Sequence, residues 1–280
     1  MSRERTTVPQ VAGAPERGEK LVMITAYDYR QGRLADEAGV DIVLVGDSLA
    51  MVVLGHDDTL SVTVDEMLHH VKAVRRGVER ALLVADMPYG SFHLGPRDTV
   101  ANALRFVREG GAQAVKIEGP RPEAVAALVD AEIPVMAHLG LTPQSVHKLG
   151  GFKVQGRGEE ARRSMLAHAS ELEAAGAFAL VLECVPSELA AEVTEALVIP
   201  TIGIGAGPTC DGQVLVVHDL LGFEDRLSPK FVRRYADLGA QAREAIARYA
   251  EDVRRGRFPS VEESFDDPSW SSPKVRSIHG

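Results

Sequence analysis

The stretch Asp41-Ile42-Val43-Leu44-Val45-Gly46-Asp47-Ser48 decides the fold. Its apolar run is rich in β-branched residues and bounded by Gly39 and Gly46. That is the pattern of a strand buried on both faces, as in a parallel sheet. A carboxylate and a hydroxyl stand together where the strand ends, and in α/β folds that end is where ligands bind. The same design recurs downstream. Ala81-Leu82-Leu83-Val84-Ala85 runs into Asp86, and Ala114-Val115-Lys116-Ile117-Glu118 into Gly119. Val135-Met136-Ala137 runs into His138, and Leu180-Val181-Leu182 into Glu183. Further apolar segments at 21–26, 201–204 and 214–217 complete eight short strands, most of them followed by a helical stretch. This order predicts an α/β fold, a (β/α)8 TIM barrel. The rival, an open dinucleotide-binding sheet, needs G-x-G-x-x-G after the first strand. Here Tyr27-Asp28-Tyr29 follows it, and Gly203, Gly205 and Gly207 come late and at the wrong spacing.

The barrel is expected over residues 21–255, which suits the typical length of about 250 residues. Residues 1–20 read as an irregular N-terminal arm, with room for a short turn of helix. Residues 256–280, rich in Pro, Ser and charge, read as a disordered tail. Thr63 and Glu66 form a capping box that starts one helix. The connections 49–61 and 140–158 are long enough to be functional lids. The last helix is expected over 229–255.

The net charge of −9 and the lack of a basic stripe argue against nucleic acid as a partner. No apolar run approaches the roughly 18 residues of a membrane span. The N-terminus lacks the apolar core of a signal peptide, so a cytoplasmic location is expected. The two cysteines, Cys184 and Cys210, offer neither a disulfide framework nor a cysteine-based metal motif.

Asp47, Asp86 and Glu118 end three consecutive strands, which are neighbours in a barrel. Three converging carboxylates would raise one another's pKa, and a hard cation relieves that. An all-oxygen set favours Mg2+. Lys116 shares a face with Glu118, two residues on. It can form a Schiff base or bind a substrate carboxylate or oxyanion, and a nearby metal favours the second role. His138 is placed to bind a substrate oxygen. Glu183, apart from the other acids, is the candidate general base. Ser48 can donate to a substrate carboxylate or cap the following loop. Cys184, one residue on from Glu183, is expected to face the helix layer. Such a set fits activation of a 2-oxo acid, with a proton removed α to the carbonyl. Spacing leaves open whether aldol addition, carboxyl chemistry or C–C cleavage follows.

Several blocks resemble the ketopantoate hydroxymethyltransferase family. They include Ile24-Thr25-Ala26-Tyr27-Asp28, Val45-Gly46-Asp47-Ser48 and Val115-Lys116-Ile117-Glu118-Gly119. Others are His138-Leu139-Gly140-Leu141-Thr142-Pro143-Gln144-Ser145, Lys153-Val154-Gln155-Gly156-Arg157, Leu182-Glu183-Cys184-Val185-Pro186 and Ile202-Gly203-Ile204-Gly205-Ala206-Gly207. The resemblance implies a barrel of the phosphoenolpyruvate/pyruvate type that is Mg2+-dependent and homo-oligomeric, often decameric. It also implies transfer of a hydroxymethyl group from 5,10-methylenetetrahydrofolate to 3-methyl-2-oxobutanoate, giving 2-dehydropantoate for pantothenate synthesis. By matching motif, Asp47, Asp86 and Glu118 take the metal positions, one or more acting through water. Asp47, Ser48, Asp86 and Lys116 take the oxo-acid contacts, with His138 alongside, and Glu183 takes the base position. The family's short helix before strand one is expected to be poor here, because of Pro9, Gly13, Pro15 and Gly18. The alternative is a folate-independent, metal-dependent aldolase or lyase acting on another 2-oxo acid.

Overall fold

The computed structural model describes residues 4–223 and 229–267. Helix α1 (Val8–Ala12) precedes strand β1 (Leu21–Thr25). Next come α2 (Tyr29–Ala38), β2 (Ile42–Val45), α3 (Leu49–Val52), α4 (Val64–Arg75) and β3 (Leu82–Asp86). The middle of the chain holds α5 (Pro96–Arg108), β4 (Ala114–Glu118), α6 (Pro122–Asp130) and β5 (Val135–Gly140). Then follow α7 (Val146–Leu149), α8 (Glu159–Ala174), β6 (Ala179–Glu183), α9 (Ser187–Ala196) and β7 (Thr201–Ile204). Strand β8 (Gly212–Leu215), α10 (Val217–Leu221) and α11 (Leu238–Arg254) end the described chain.

Each strand pairs in parallel with the next, and β8 pairs with β1, so the sheet closes into the expected barrel. Period-two alternation sorts its side chains. Leu21, Met23, Ile42, Leu44, Leu82, Val84, Ala114, Met136, Ala179, Val181, Ile202 and Val214 form an inner core. The intervening residues, such as Val43, Leu83, Val115 and Leu180, pack outward among the helices. The inner face changes character along the strands. Continuing the inward parity past Val84, Ala114, Met136 and Val181 leads to Asp86, Lys116, Glu118, His138 and Glu183. Register then aligns them: Asp86 opposite Lys116, Glu118 opposite His138, and Glu183 opposite Gly140. Gly39 stops α2 in the left-handed conformation, which turns the chain into β2. The Thr63–Glu66 capping box is present at the start of α4.

The N-terminal arm differs from its sequence reading. Thr7 and Gln10 form a capping box that starts α1, and Pro9 sits in the first turn, where its missing N–H costs nothing. Val11 and Ala14, both fully buried, join the inner core and so plug the bottom of the barrel. Local glycine and proline content had hidden this helix; a cap and a tertiary contact make it. The chain end also differs. Strand β8 is Gly212–Leu215 rather than 214–217, and Val217, expected at the strand end, begins helix α10. The last helix starts at Leu238 rather than residue 229 and buries none of its residues. The tail is exposed from 256 to 267; the rest of the expected disordered segment lies outside the described residues.

Candidate active site

The upper ends of the strands enclose a cavity of about 600 Å³. Asp47, Ser48, Asp86, Lys116, Glu118, His138 and Glu183 all line it, so every expected site residue is brought together. Asp47, Asp86, Lys116, Glu118 and His138 are each less than 5% exposed.

The geometry is a chain of polar contacts across the barrel mouth. Lys116 Nζ lies 2.6 Å from Asp86 Oδ1 and 3.3 Å from His138 Nδ1. The Asp47 backbone N–H donates to Asp86 Oδ2 at 3.1 Å. His138 Nδ1 lies 3.6 Å from Glu118 Oε1, and His138 Nε2 lies 3.3 Å from Glu183 Oε2. Gln144 ties the acids together. Its side-chain amide donates to Asp47 Oδ2 at 2.9 Å and to the Met87 carbonyl at 3.0 Å. Its backbone N–H donates to Glu118 Oε2 at 3.0 Å. Sequence reasoning gave Gln144 no role, although it lies in a quoted motif and in a connection flagged as functional. Tyr27, 1% exposed, was likewise missed; its hydroxyl bonds Ser48 Oγ at 2.8 Å and fixes that side chain.

Burial sets the protonation states. It pushes the Asp47 carboxyl up to about 7, with Asp86 adding to the effect. It raises Glu118 well above the usual carboxylate range, Asp47 contributing. Glu183 is pushed up to about 7 by burial, against the pull of Lys116. Burial alone would lower the Lys116 ammonium, but Asp86, Glu118 and Asp47 hold it above its ordinary value. Burial and Lys116 hold the His138 imidazole well below its usual range, so the ring is neutral. With Nδ1 accepting from Lys116, its proton sits on Nε2, on the side of Glu183.

Buried acids therefore outnumber the single ammonium, a donor set of hard oxygens whose charge is unmet. That chemistry fits a divalent cation. Yet among the described residues no three ligating side chains gather tightly enough to hold an ion by themselves. Lys116 takes one face of Asp86 and Gln144 stands between Asp47 and Glu118, so at most two acids reach a common point.

Cys184 corrects its sequence reading: it lines the cavity rather than facing the helix layer. Its positive φ of 47° breaks the strand alternation immediately after Glu183. Burial, with Glu183, pushes its thiol up to about 11. The glycines at 203–207 serve close packing; a Cβ on Gly205 would stand 2.8 Å from the Phe231 ring and one on Gly207 2.6 Å from Ser187. From the connection after β2, Met51, Val52 and Thr59 reach the cavity, whereas His56, Asp57 and Asp58 are not among its lining residues. Phe152, Lys153 and Val154 form another wall, and the segment Pro229-Lys230-Phe231 after β8 a third. No helix among the described residues is long and apolar enough to cross a membrane.

A ketopantoate hydroxymethyltransferase family model matches residues 5–261. The 3-methyl-2-oxobutanoate hydroxymethyltransferase of Moorella thermoacetica is 56% identical over 94% of this chain and 98% of its own length. That of Nitratidesulfovibrio vulgaris is 59% identical over 88% of this chain and 81% of its own. Among solved structures, 2,3-dimethylmalate lyase, a PEP mutase/isocitrate lyase superfamily member, superposes with a TM-score of 0.59 at 19% identity, covering 93% and 92% of the two chains. Phosphonopyruvate hydrolase superposes at 0.58 and 14%, covering 92% and 93%. These last two share the fold.

Proposed function

The chain belongs to the ketopantoate hydroxymethyltransferase family, and from that premise we propose that it transfers a hydroxymethyl group from 5,10-methylenetetrahydrofolate to 3-methyl-2-oxobutanoate, forming 2-dehydropantoate. The observation that carries the chemistry is the partly buried Glu183 carboxylate, pushed up to about 7, beside a neutral His138 and within the field of Lys116. A base with that poise can take a proton α to a carbonyl at neutral pH.

Each residue then has a role. Lys116, a buried cation fixed by Asp86, binds the negative oxygens of the oxo acid. Ser48, held by Tyr27, donates to its carboxylate. His138 presents its Nε2 proton between the oxo acid and Glu183. Glu183 removes the proton from C3. The resulting carbanion forms the C–C bond to the methylene carbon of the folate, the C–N bond to the folate breaks to release tetrahydrofolate, and water supplies the hydroxyl of the hydroxymethyl group. Asp47, Asp86 and Glu118 would hold Mg2+, one or more of them through water, the usual economy of a Mg2+ site. Bound there, Mg2+ would supply Lewis-acid stabilisation of the negative charge that develops on the keto oxygen.

The cavity volume supports a second, larger substrate. The oxo acid has only eight non-hydrogen atoms, whereas about 600 Å³ suits a drug-sized ligand. Met51, Val52, Phe152 and Phe231 offer flat apolar walls to a heteroaromatic ring, and Lys153 and Lys230 offer cations to an anionic tail. Assembly of several copies is supported by α11, which leaves Ile246, Tyr249 and Val253 at least 45% exposed. The test is formation of 2-dehydropantoate from the two substrates with Mg2+ and then with EDTA. Chelator-sensitive product supports the proposal; folate-independent cleavage of another 2-oxo acid would favour the lyase alternative.

A further inference from the structure

A second cavity, of about 500 Å³, adjoins the first and shares only Glu118 with it. It lies between the segment after β4, the connection after β5 and one face of α8. Its ionisable lining is Arg121, Lys148, His93, His168 and Glu118. The acid faces away: Glu118 Oε2 accepts from the Gln144 backbone and Oε1 looks toward His138. The cations are unmatched. In a chain with 40 acidic residues, neither Arg121 nor Lys148 forms an ion pair with a carboxylate among the described residues.

Arg121 is also prepared. Its guanidinium carbon lies over the buried Phe92 ring, 5.3 Å from the centroid, a cation–π contact that holds it at the cavity. Its Nε is buried without a hydrogen-bond partner. Buried polar groups in native proteins are normally satisfied, so an orphaned donor beside a cavity calls for an occupant with acceptor oxygens. A solvated arginine would need neither the stack nor the burial.

We propose that this cavity binds a small dianion, a phosphate or a dicarboxylate, clasped by Arg121 and Lys148 and hydrogen-bonded by the hydroxyls of Ser145 and Ser164. The planar fork of Arg121 suits two oxygens at once, and Lys148 adds a point charge from the rim. The site is separate from the oxo-acid cations of the catalytic cavity, and its occupancy does not depend on the reaction assigned there.

Isothermal titration of the full-length protein with inorganic phosphate, and separately with succinate, tests this in a buffer without competing anions. Saturable one-site binding of either ion is expected, and which ion binds identifies the ligand's chemistry. Arg121→Gln should weaken it at least tenfold and Lys148→Gln several-fold. Ser164→Glu, a change on the exposed face of a helix, should abolish it by placing a carboxylate in the cavity. Circular dichroism of each variant checks that it is folded. Lack of saturable binding to the wild-type protein overturns the proposal. So does unchanged binding in folded Lys148→Gln and Ser164→Glu, because the anion would then sit elsewhere.

Discussion

His138 Nε2 lies 3.3 Å from Glu183 Oε2 without the alignment of a hydrogen bond. The contact joins the two strand ends whose chemistry has to cooperate. A neutral imidazole there leaves Glu183 without a cation directly against it, so burial can lift its carboxyl to about 7. An imidazolium in the same place would hold Glu183 ionised and weakly basic. Burial, with Lys116 behind it, keeps His138 neutral, and that neutral ring leaves burial to outweigh the pull of Lys116 on Glu183.

The pH dependence of proton exchange at C3 of 3-methyl-2-oxobutanoate follows from this. Glu183 acts as base only when ionised. The exchange rate should climb about tenfold per pH unit below about 7 and level off above it. His138, held neutral, and the Cys184 thiol, pushed up to about 11, do not titrate in that window, and the measurement is made with saturating Mg2+, which would keep Asp47 ionised throughout. Deuterium exchange followed by NMR checks it; a rate independent of pH between about 5.5 and 8 contradicts it.

Lys116→Met should abolish measurable oxo-acid binding and destabilise the protein. It leaves the Asp86 carboxylate, 2.6 Å away, buried without its cation, and breaking a buried pair in this way costs about 3–5 kcal/mol. Urea denaturation at neutral pH measures the loss. Added Mg2+ should return part of it, because the ion restores the missing charge. A variant as stable as wild type would mean that Asp86 is not ionised there.

The wall residue Gln144 gives a third outcome. Gln144→Leu keeps the bulk but removes the amide donated to Asp47 and to the Met87 carbonyl. A hydrogen bond to a charged group is worth about 1.5–3 kcal/mol, so Mg2+ affinity should fall about tenfold to a hundredfold. Calorimetric titration with Mg2+ reads this directly. Contact with Glu118 is made by the backbone and should survive.

Asp47 links the site to stability. Its folded carboxyl titrates at about 7, against 3.8 ordinarily. Between those values the unfolded chain binds fewer protons than the folded one, so this group's contribution is full below the lower value. It falls as pH rises and is lost above about 7. Without metal, the thermal midpoint should therefore drop as pH rises from about 5 to about 7.5. The drop should be smaller in Asp47→Asn, Glu118 and Glu183 supplying the remainder. Mg2+ should raise the midpoint of the wild-type protein at about pH 7.5 and leave the variant nearly unchanged. Equal slopes for the two proteins would contradict the assignment.

Much of this was legible in the sequence because barrel strands carry their meaning locally. An apolar run with a polar residue at its end fixes both the strand and the site, and parity alone aims Lys116 and Glu118 into the same cavity. What stayed hidden depends on contacts between distant segments. Gln144 acts across 97 positions on Asp47, and nothing in its neighbours announces that. Helix α1 forms because Val11 finds the barrel floor. Cys184 turns inward through a single positive φ that no pattern of apolar residues records. The last helix begins late because Asp237 caps it, its side chain accepting from the Ala240 N–H.

The central claim is that Glu183 removes the C3 proton inside a Mg2+-dependent site. The most direct measurement is C3 deuterium exchange of 3-methyl-2-oxobutanoate without folate, in the wild-type protein and in Glu183→Gln, each with Mg2+. The account predicts exchange by the wild-type protein, and exchange reduced at least about a hundredfold in the variant, with oxo-acid binding retained. Exchange at the wild-type rate in a folded, oxo-acid-binding Glu183→Gln would show that another group is the base.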